Sequence, residues 1–174
     1  MKIGLFVLNI LCFILISCGD EKSTTDVTET EITAQKVTIT SKAIEDFDYT
    51  DYALSTESEE TLATWEKYKE LAIQISYLKK ADLSFFNGDK DLLKKFIEEF
   101  KLSTPTQLLT NPIISRTVIV ETTLLKLNEN LTIDNIDGRV KLLTIKEVLV
   151  AFSNLNFQIN KKLERDVYDK IQPE

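Results

Sequence analysis

The fold is decided by residues 111–131, which read NPIISRTVIVETTLLKLNENL. Asn111-Pro112 combines a good helix cap with a proline, which suits the first helical turn because that turn leaves its amides unpaired. Behind this pair one stripe recurs every three or four positions: Ile113, Thr117, Val120, Leu124, Leu127 and Leu131, with Ile114, Val118 and Leu125 beside it. The spacing predicts an amphipathic helix.

A longer helix is predicted after this one, over roughly residues 136–171, with Gly138 near its start. Gly138 costs up to about 1 kcal/mol at such a position, because glycine is a poor helix former. The predicted buried stripe of this last helix is Ile136, Val140, Leu143, Val148, Ala151, Leu155, Ile159, Leu163 and Val167.

Two further helices are predicted upstream. The first begins at Ser58, with Thr56 or Ser58 as its cap, and runs to the Asn87-Gly88 turn. Its stripe is Leu62, Trp65, Tyr68, Ala72, Ile75, Leu78 and Phe85, widened by Leu71. The second is shorter, is capped by Asp89 and stops before Pro105. Its apolar residues are Leu92, Leu93, Phe96, Ile97 and Phe100.

Four amphipathic helices joined by short connections predict an all-α protein, as a four-helix antiparallel bundle with one short helix. The bundle domain is assigned to residues 58–174, which is enough chain to bury a single core. An extended aromatic arm, residues 44–57, is predicted to pack Phe47, Tyr49 or Tyr52, and Leu54 onto this domain. A solvated loop is the alternative.

The N-terminus has the organisation of an export signal. Lys2 precedes an uncharged, mostly apolar run over residues 3–16, which is shorter than the roughly 18 residues that a membrane span needs. The run ends in Leu15-Ile16-Ser17-Cys18, which resembles the lipobox of bacterial lipoproteins. That resemblance implies a signal peptide over residues 1–17 and a Cys18 that carries acyl chains such as palmitate. A secretory signal with a chance cysteine is the alternative.

Lipidation would use the only cysteine of the mature chain, since Cys12 lies in the segment that is removed. No disulfide can then form. Residues 18–43 are predicted to be an acidic, disordered tether, because they are rich in Ser, Thr, Asp and Glu and have no aromatic residue. Residues 18–60 hold 12 acidic residues against 3 lysines, whereas the rest of the chain is nearly neutral.

The composition excludes several classes of chemistry. The chain has no histidine, 4 glycines and a single methionine, Met1. Histidine is the commonest general base and transition-metal ligand, and phosphate loops are rich in glycine. We therefore predict no catalytic residue, no metal site, no cofactor and no enzymatic activity. The sequence has no basic patch of the kind that nucleic-acid binding requires, so we predict no nucleic-acid partner.

Six polar residues fall on or beside the apolar stripes: Asp82, Arg116, Glu121, Glu147, Asn154 and Gln158. One interpretation is a polar pocket for a small ligand inside the bundle, with Arg116, Glu121 and Gln158 in its lining. The favoured interpretation is that they fix helix register or lie at the edge of the core with their heads in water, since buried charges normally indicate pairing.

The layout resembles small lipoproteins of the Bacteroidota, particularly flavobacterial chains. The shared features are the lipobox, the acidic tether, the aromatic arm and the residues Trp65, Tyr68, Asp82, Phe85-Phe86, Arg116, Glu121-Thr122, Asn154-Leu155 and Gln158-Ile159-Asn160. The resemblance implies anchoring and a helical domain but no chemistry. It also implies that acidic residues soon after the lipidated cysteine, here Asp20-Glu21, favour the cell surface over the periplasmic face.

These features predict an outer-membrane lipoprotein that is anchored through Cys18. Its helical domain is expected to be a non-enzymatic interaction or structural module, with a protein partner as one option. The alternative function is a small-ligand carrier.

Overall fold

The structure is a computed structural model that describes residues 37–171, and all of the regular structure in this range is helical. A single 3₁₀ turn, Thr106–Leu108, accompanies the α-helices of this range, which are α1 (Ser41–Glu45), α2 (Thr56–Leu62), α3 (Glu66–Leu78), α4 (Lys90–Leu102), α5 (Asn111–Thr132) and α6 (Gly138–Ile171). The all-α prediction is confirmed. Cys18, the predicted signal peptide and the tether as far as residue 36 lie outside the described residues.

The most extensive packing joins α5 to α6. Two side-chain contacts fix their relative direction: Lys126 Nζ lies 2.7 Å from Glu147 Oε2, and Asn130 Nδ2 lies 2.7 Å from Thr144 Oγ1. Residue numbers rise along α5 as they fall along α6, so the two helices run in opposite directions. Both helices occupy nearly the ranges that the sequence predicts.

The first predicted helix is wrong in its continuity. The chain forms α2 and α3 instead, separated by a turn at residues 63–65, and α2 is capped by Ser55 rather than by Thr56 or Ser58. Trp65 lies at the break, where its Nε1 donates to the Phe100 carbonyl oxygen (3.0 Å) and its ring stacks on the Phe100 ring. Burial of the indole with its N–H paired favours this position for the break.

The end of α3 also differs from the prediction. α3 stops at Leu78, ten residues before Gly88, and Ala81 follows in the left-handed region at φ 64°. An alanine there strains the backbone, which glycine would not. The turns that follow are held by the buried Asn128, whose Nδ2 donates to the carbonyl oxygens of Phe86 and Gly88, each at 2.9 Å.

The predicted buried stripes are correct in the middle of each helix and wrong toward some ends. On α5, Ile113, Val120, Leu124 and Leu127 are buried. On α4, Leu92 is exposed although it was assigned to the core. On α6 the core assignment is also wrong for three residues that are largely exposed: Val140, Leu143 and Val167.

Regular structure begins before residue 43, the predicted end of the tether. Thr40 caps α1 by accepting a hydrogen bond from the Ala43 amide (3.2 Å), and Ile44 of α1 is buried. The arm then crosses the domain without regular structure as far as Ser55. As predicted for the arm, its residues Phe47, Tyr49 and Leu54 pack against the core.

A close backbone contact joins the first described residues to the start of α6. A Cβ at Gly138 would lie 2.0 Å from the Val37 carbonyl oxygen, far inside van der Waals contact. Any side chain at position 138 would push the two segments apart. The contact explains why a helix tolerates glycine in its first turn here.

Candidate functional site

The three carboxylates of the predicted polar cluster make separate contacts near the surface. Asp82 accepts hydrogen bonds from the hydroxyl and the amide of Ser84, and these bonds hold the pKa of Asp82 below its usual range. Glu121 pairs with Lys101 at 2.6 Å, and Glu147 pairs with Lys126. Such exposed or half-exposed pairs contribute roughly 0–1 kcal/mol each.

The remaining members do not complete a site. Arg116 is half-buried on α5 and makes no ion pair with any residue of the described range. Asn154 is exposed and Gln158 is half-buried on α6. The cluster is therefore spread over a turn, α5 and α6, and its three carboxylates each have a separate local partner instead of sharing one site.

The polar side chains that do act together lie on another face of α6, and they bind the arm. Ser153 is buried and its hydroxyl donates to the Thr50 carbonyl oxygen at 2.6 Å. The Ser153 hydroxyl oxygen in turn accepts a hydrogen bond from the Tyr52 amide at 2.8 Å. One serine thus satisfies both a donor and an acceptor of an irregular segment.

Asn160 repeats this arrangement two turns further along α6. Its Nδ2 donates to the Ala53 carbonyl oxygen at 2.8 Å, and its Oδ1 accepts from the Ser55 amide at 3.0 Å. Side chains of α6 therefore bind the arm by hydrogen bonds to the main-chain groups of the arm. This binding satisfies backbone groups that the arm, lacking regular structure, cannot pair by itself.

Asn156 connects the arm to the interior. Its Nδ2 donates to the Tyr52 carbonyl oxygen at 3.0 Å, while its Oδ1 accepts from the Tyr68 hydroxyl at 2.6 Å. Tyr68 is buried on α3, and its ring stacks on Phe152 of α6. The arm, α3 and α6 are thereby joined through a single amide side chain.

The three residues that bind the arm were missed in the sequence, although they carry a recognisable signal. Ser153, Asn156 and Asn160 are spaced by three and four residues, so they form one polar stripe beside the apolar one. The residues predicted instead, Asn154 and Gln158, lie on a neighbouring, more exposed face of α6. The spacing of the three side chains shows that they share a face of the helix, but it does not show that the arm crosses that face.

The buried phenols predict a loss of stability at high pH. Burial, and to a lesser degree the charge of Asp51, raises the pKa of Tyr49 from 10.0 to about 12. Burial also raises the pKa of Tyr68, with a smaller contribution from Glu59. The folded state holds both phenolic protons more tightly than the unfolded state. The free energy of unfolding is therefore unaffected by these groups below pH 10, and it decreases as the pH rises from 10 toward 12.

Urea midpoints measured across this pH range would check the prediction. Tyr68→Phe should flatten the decline because it removes one of the titrating groups. The exposed Tyr77 offers a matched control, since Tyr77→Phe should leave the slope unchanged. Identical slopes in wild type and Tyr68→Phe would contradict the role assigned to burial.

Two open grooves that are lined by residues of the arm attachment or of the predicted polar cluster are each larger than about 300 Å³, the lower bound for a small-ligand site. One, of about 330 Å³, lies between the start of α2 and the end of α6 and is lined by Ser55, Glu57, Asn160, Leu163, Glu164 and Val167. The other, of about 540 Å³, lies between α4 and α5 and includes Lys101 and Glu121. Neither has Arg116 or Gln158 in its lining.

Within residues 37–171, no three acidic or cysteine side chains are grouped closely enough to hold a metal ion. None of the helices in this range combines the length and the apolar composition needed to cross a bilayer. No known protein family, curated protein or solved structure matches the chain.

Proposed function

We propose that the protein is a lipid-anchored outer-membrane lipoprotein whose helical domain is a non-enzymatic interaction or structural module. The observation that carries the proposal is the sequence Leu15-Ile16-Ser17-Cys18 at the end of a short apolar run. Several acyl chains on Cys18 would hold the protein stably at a membrane, whereas one chain gives only marginal binding. Asp20-Glu21 favours the cell surface as the location of the domain.

The proposal includes an antiparallel four-helix arrangement of α3, α4, α5 and α6. Contacts between α3 and α4 support it: Trp65 reaches Phe100, and Lys67 Nζ lies 3.1 Å from Glu99 Oε2. Between α4 and α5, Lys90 lies near Glu129 and Lys101 near Glu121. In both pairs the residue numbers run in opposite directions, as they do between α5 and α6.

The use of the interior polar groups supports a module without catalysis. The side chains of Trp65, Tyr68 and Asn156 form hydrogen bonds with main-chain atoms or with each other. Groups held in this way organise the fold. A catalytic group would need to reach a substrate, which these side chains do not.

A small-ligand carrier is the second candidate, and the groove of about 330 Å³ is the observation in its favour. It ranks lower because the groove is open to solvent and because Ser55 and Asn160, two of its polar residues, are bonded to each other. The wall also carries the Glu57 carboxylate, whose pKa is lowered by hydrogen bonds from its own amide and from Ser55 and which forms no ion pair among the described residues.

The proposed anchor predicts an all-or-none result. Cys18→Ala should abolish acyl labelling and either release the protein from the membrane fraction or leave its signal uncleaved. Cys12→Ala is the matched control, because Cys12 lies in the same apolar run and outside the lipobox; it should be labelled and fractionate like wild type. The measurement is metabolic acyl labelling followed by membrane fractionation. A processed Cys18→Ala protein that stays with membranes would refute the proposal.

A further inference from the structure

The C-terminal end of α6 extends beyond its partner helix. The contacts of Lys126 with Glu147 and of Asn130 with Thr144 define the register between α5 and α6. Continued to the start of α5, this register places Asn111 beside residues 162–163. Residues 164–171, about two helical turns, therefore lie past the end of α5.

This free end carries an apolar stripe. Leu163, Val167 and Ile171 are four residues apart and lie within about 40° of Val167 on one side of the helix, since each residue turns the helix by about 100°. Val167 is 48% exposed and Ile171 is 73% exposed. Leu163 is half-buried against the core, and Leu163 and Val167 both line the 330 Å³ groove beside α2. The stripe therefore runs from the edge of the core into solvent, and adjoining exposed apolar side chains of this kind suit a contact surface.

Charges flank the stripe in a self-complementary way. Asp166 and Lys170 project from the same flank, about 100° and 60° from Val167 on the helical wheel. Suppose that a second copy of this helix end is placed antiparallel, with the two Val167 residues on a twofold axis. Asp166 of each copy then lies within about 3 Å, along the helix axis, of Lys170 of the other copy. The same operation brings Leu163 opposite Ile171.

We propose that the occupant of this surface is a second copy of the chain, which packs its own α6 end antiparallel across the stripe. The contact is isologous, with the seam of Leu163, Val167 and Ile171 at its centre and two equivalent Asp166–Lys170 ion pairs at its edge. Asp166 pairs with Lys162 within its own helix and gains the second cation on association. The seam is short, so the dimer belongs to the transient class that buries less than about 1,200 Å².

Cysteine crosslinking of the full chain in membranes tests the arrangement. Position 167 lies on the proposed twofold axis, so Val167→Cys should form a disulfide-linked dimer on mild oxidation. Asp169→Cys is the matched control, because it lies at the same helix end but on the opposite face. Wild type reports any background from Cys12 and Cys18. Equal yields at 167 and 169, or no dimer at 167, would overturn the proposal.

A charge swap tests the antiparallel orientation. In the Val167→Cys chain, Asp166→Lys alone or Lys170→Asp alone should lower the dimer yield about fivefold, because each leaves like charges opposed in two places. The double variant Asp166→Lys with Lys170→Asp should restore the yield. Restoration supports the antiparallel pairs, and a double variant no better than the single variants would show that these residues do not face each other.

Discussion

Leu155→Ala should lower the free energy of unfolding by about 2–5 kcal/mol, because it removes apolar contacts and leaves a cavity that the neighbours fill only in part. Leu155 is completely buried at the centre of α6. Urea denaturation followed by far-ultraviolet circular dichroism measures the change, and Leu124→Ala on the facing helix should behave alike.

Leu143→Ala is the matched control for this experiment. It makes the same chemical change on the same helix, but Leu143 is 57% exposed, so the cost should stay within about 0.5 kcal/mol. The control also separates two descriptions of α6, since the sequence places both leucines in the core stripe. Equal losses at 143 and 155 would show that the stripe read from the sequence is right and that the burial described above is wrong.

Asn156→Ala should cost about 2–4 kcal/mol, the second large effect. The change leaves the Tyr68 hydroxyl and the Tyr52 carbonyl oxygen without the partner that each has now, and a buried polar group left unpaired costs roughly 1–3 kcal/mol. Because the arm would be held less firmly, hydrogen exchange at the Tyr52 and Ser55 amides should accelerate as well.

Asn154→Ala is its matched control, two residues away on the exposed side of α6. It should change neither the urea midpoint nor amide exchange in the arm. If Asn154→Ala destabilised the protein as much as Asn156→Ala, the attachment of the arm would not be the source of the loss.

The helices that the sequence predicts well are those with local signals at both ends. Asp89 caps α4 through the amides of Asp91 and Leu92, and Pro105 follows its end. α5 begins at Asn111-Pro112 as predicted, with Pro112 in its first turn, but the prediction of Asn111 as the cap is wrong: Thr110 holds that position and makes no side-chain capping hydrogen bond. Helix periodicity between such signals leaves little freedom, so α4, α5 and α6 lie close to their predicted ranges.

The break between α2 and α3 and the early end of α3 had no such signals. Leu62, Trp65 and Tyr68 keep helical spacing across the break, so periodicity cannot reveal it. Ala81 adopts a left-handed conformation that its residue type disfavours, and the Asn87-Gly88 pair drew the predicted end ten residues too far. In both places long-range packing, through Trp65 and through Asn128, overrides the local preference.

The sequence predicts the type of polar residue on α6 but not which of these residues act together. The sequence shows that α6 carries amides among its apolar residues, but the face they share depends on where the arm crosses the helix. The arm itself has no periodicity that would fix this position. The distinction between Asn154 and Asn156 is therefore a tertiary property.

The contact of Val37 with Gly138 determines where the chain leaves the helical domain. It places the point where the chain departs toward Cys18 at the first residue of α6, and the helix then runs 34 residues, about 50 Å, to Ile171. If two copies join through Val167, their departure points are separated by about 90 Å along the joined helices. If the chain is anchored as proposed, a pair of that length suits a link between two facing membranes or a rod lying along one.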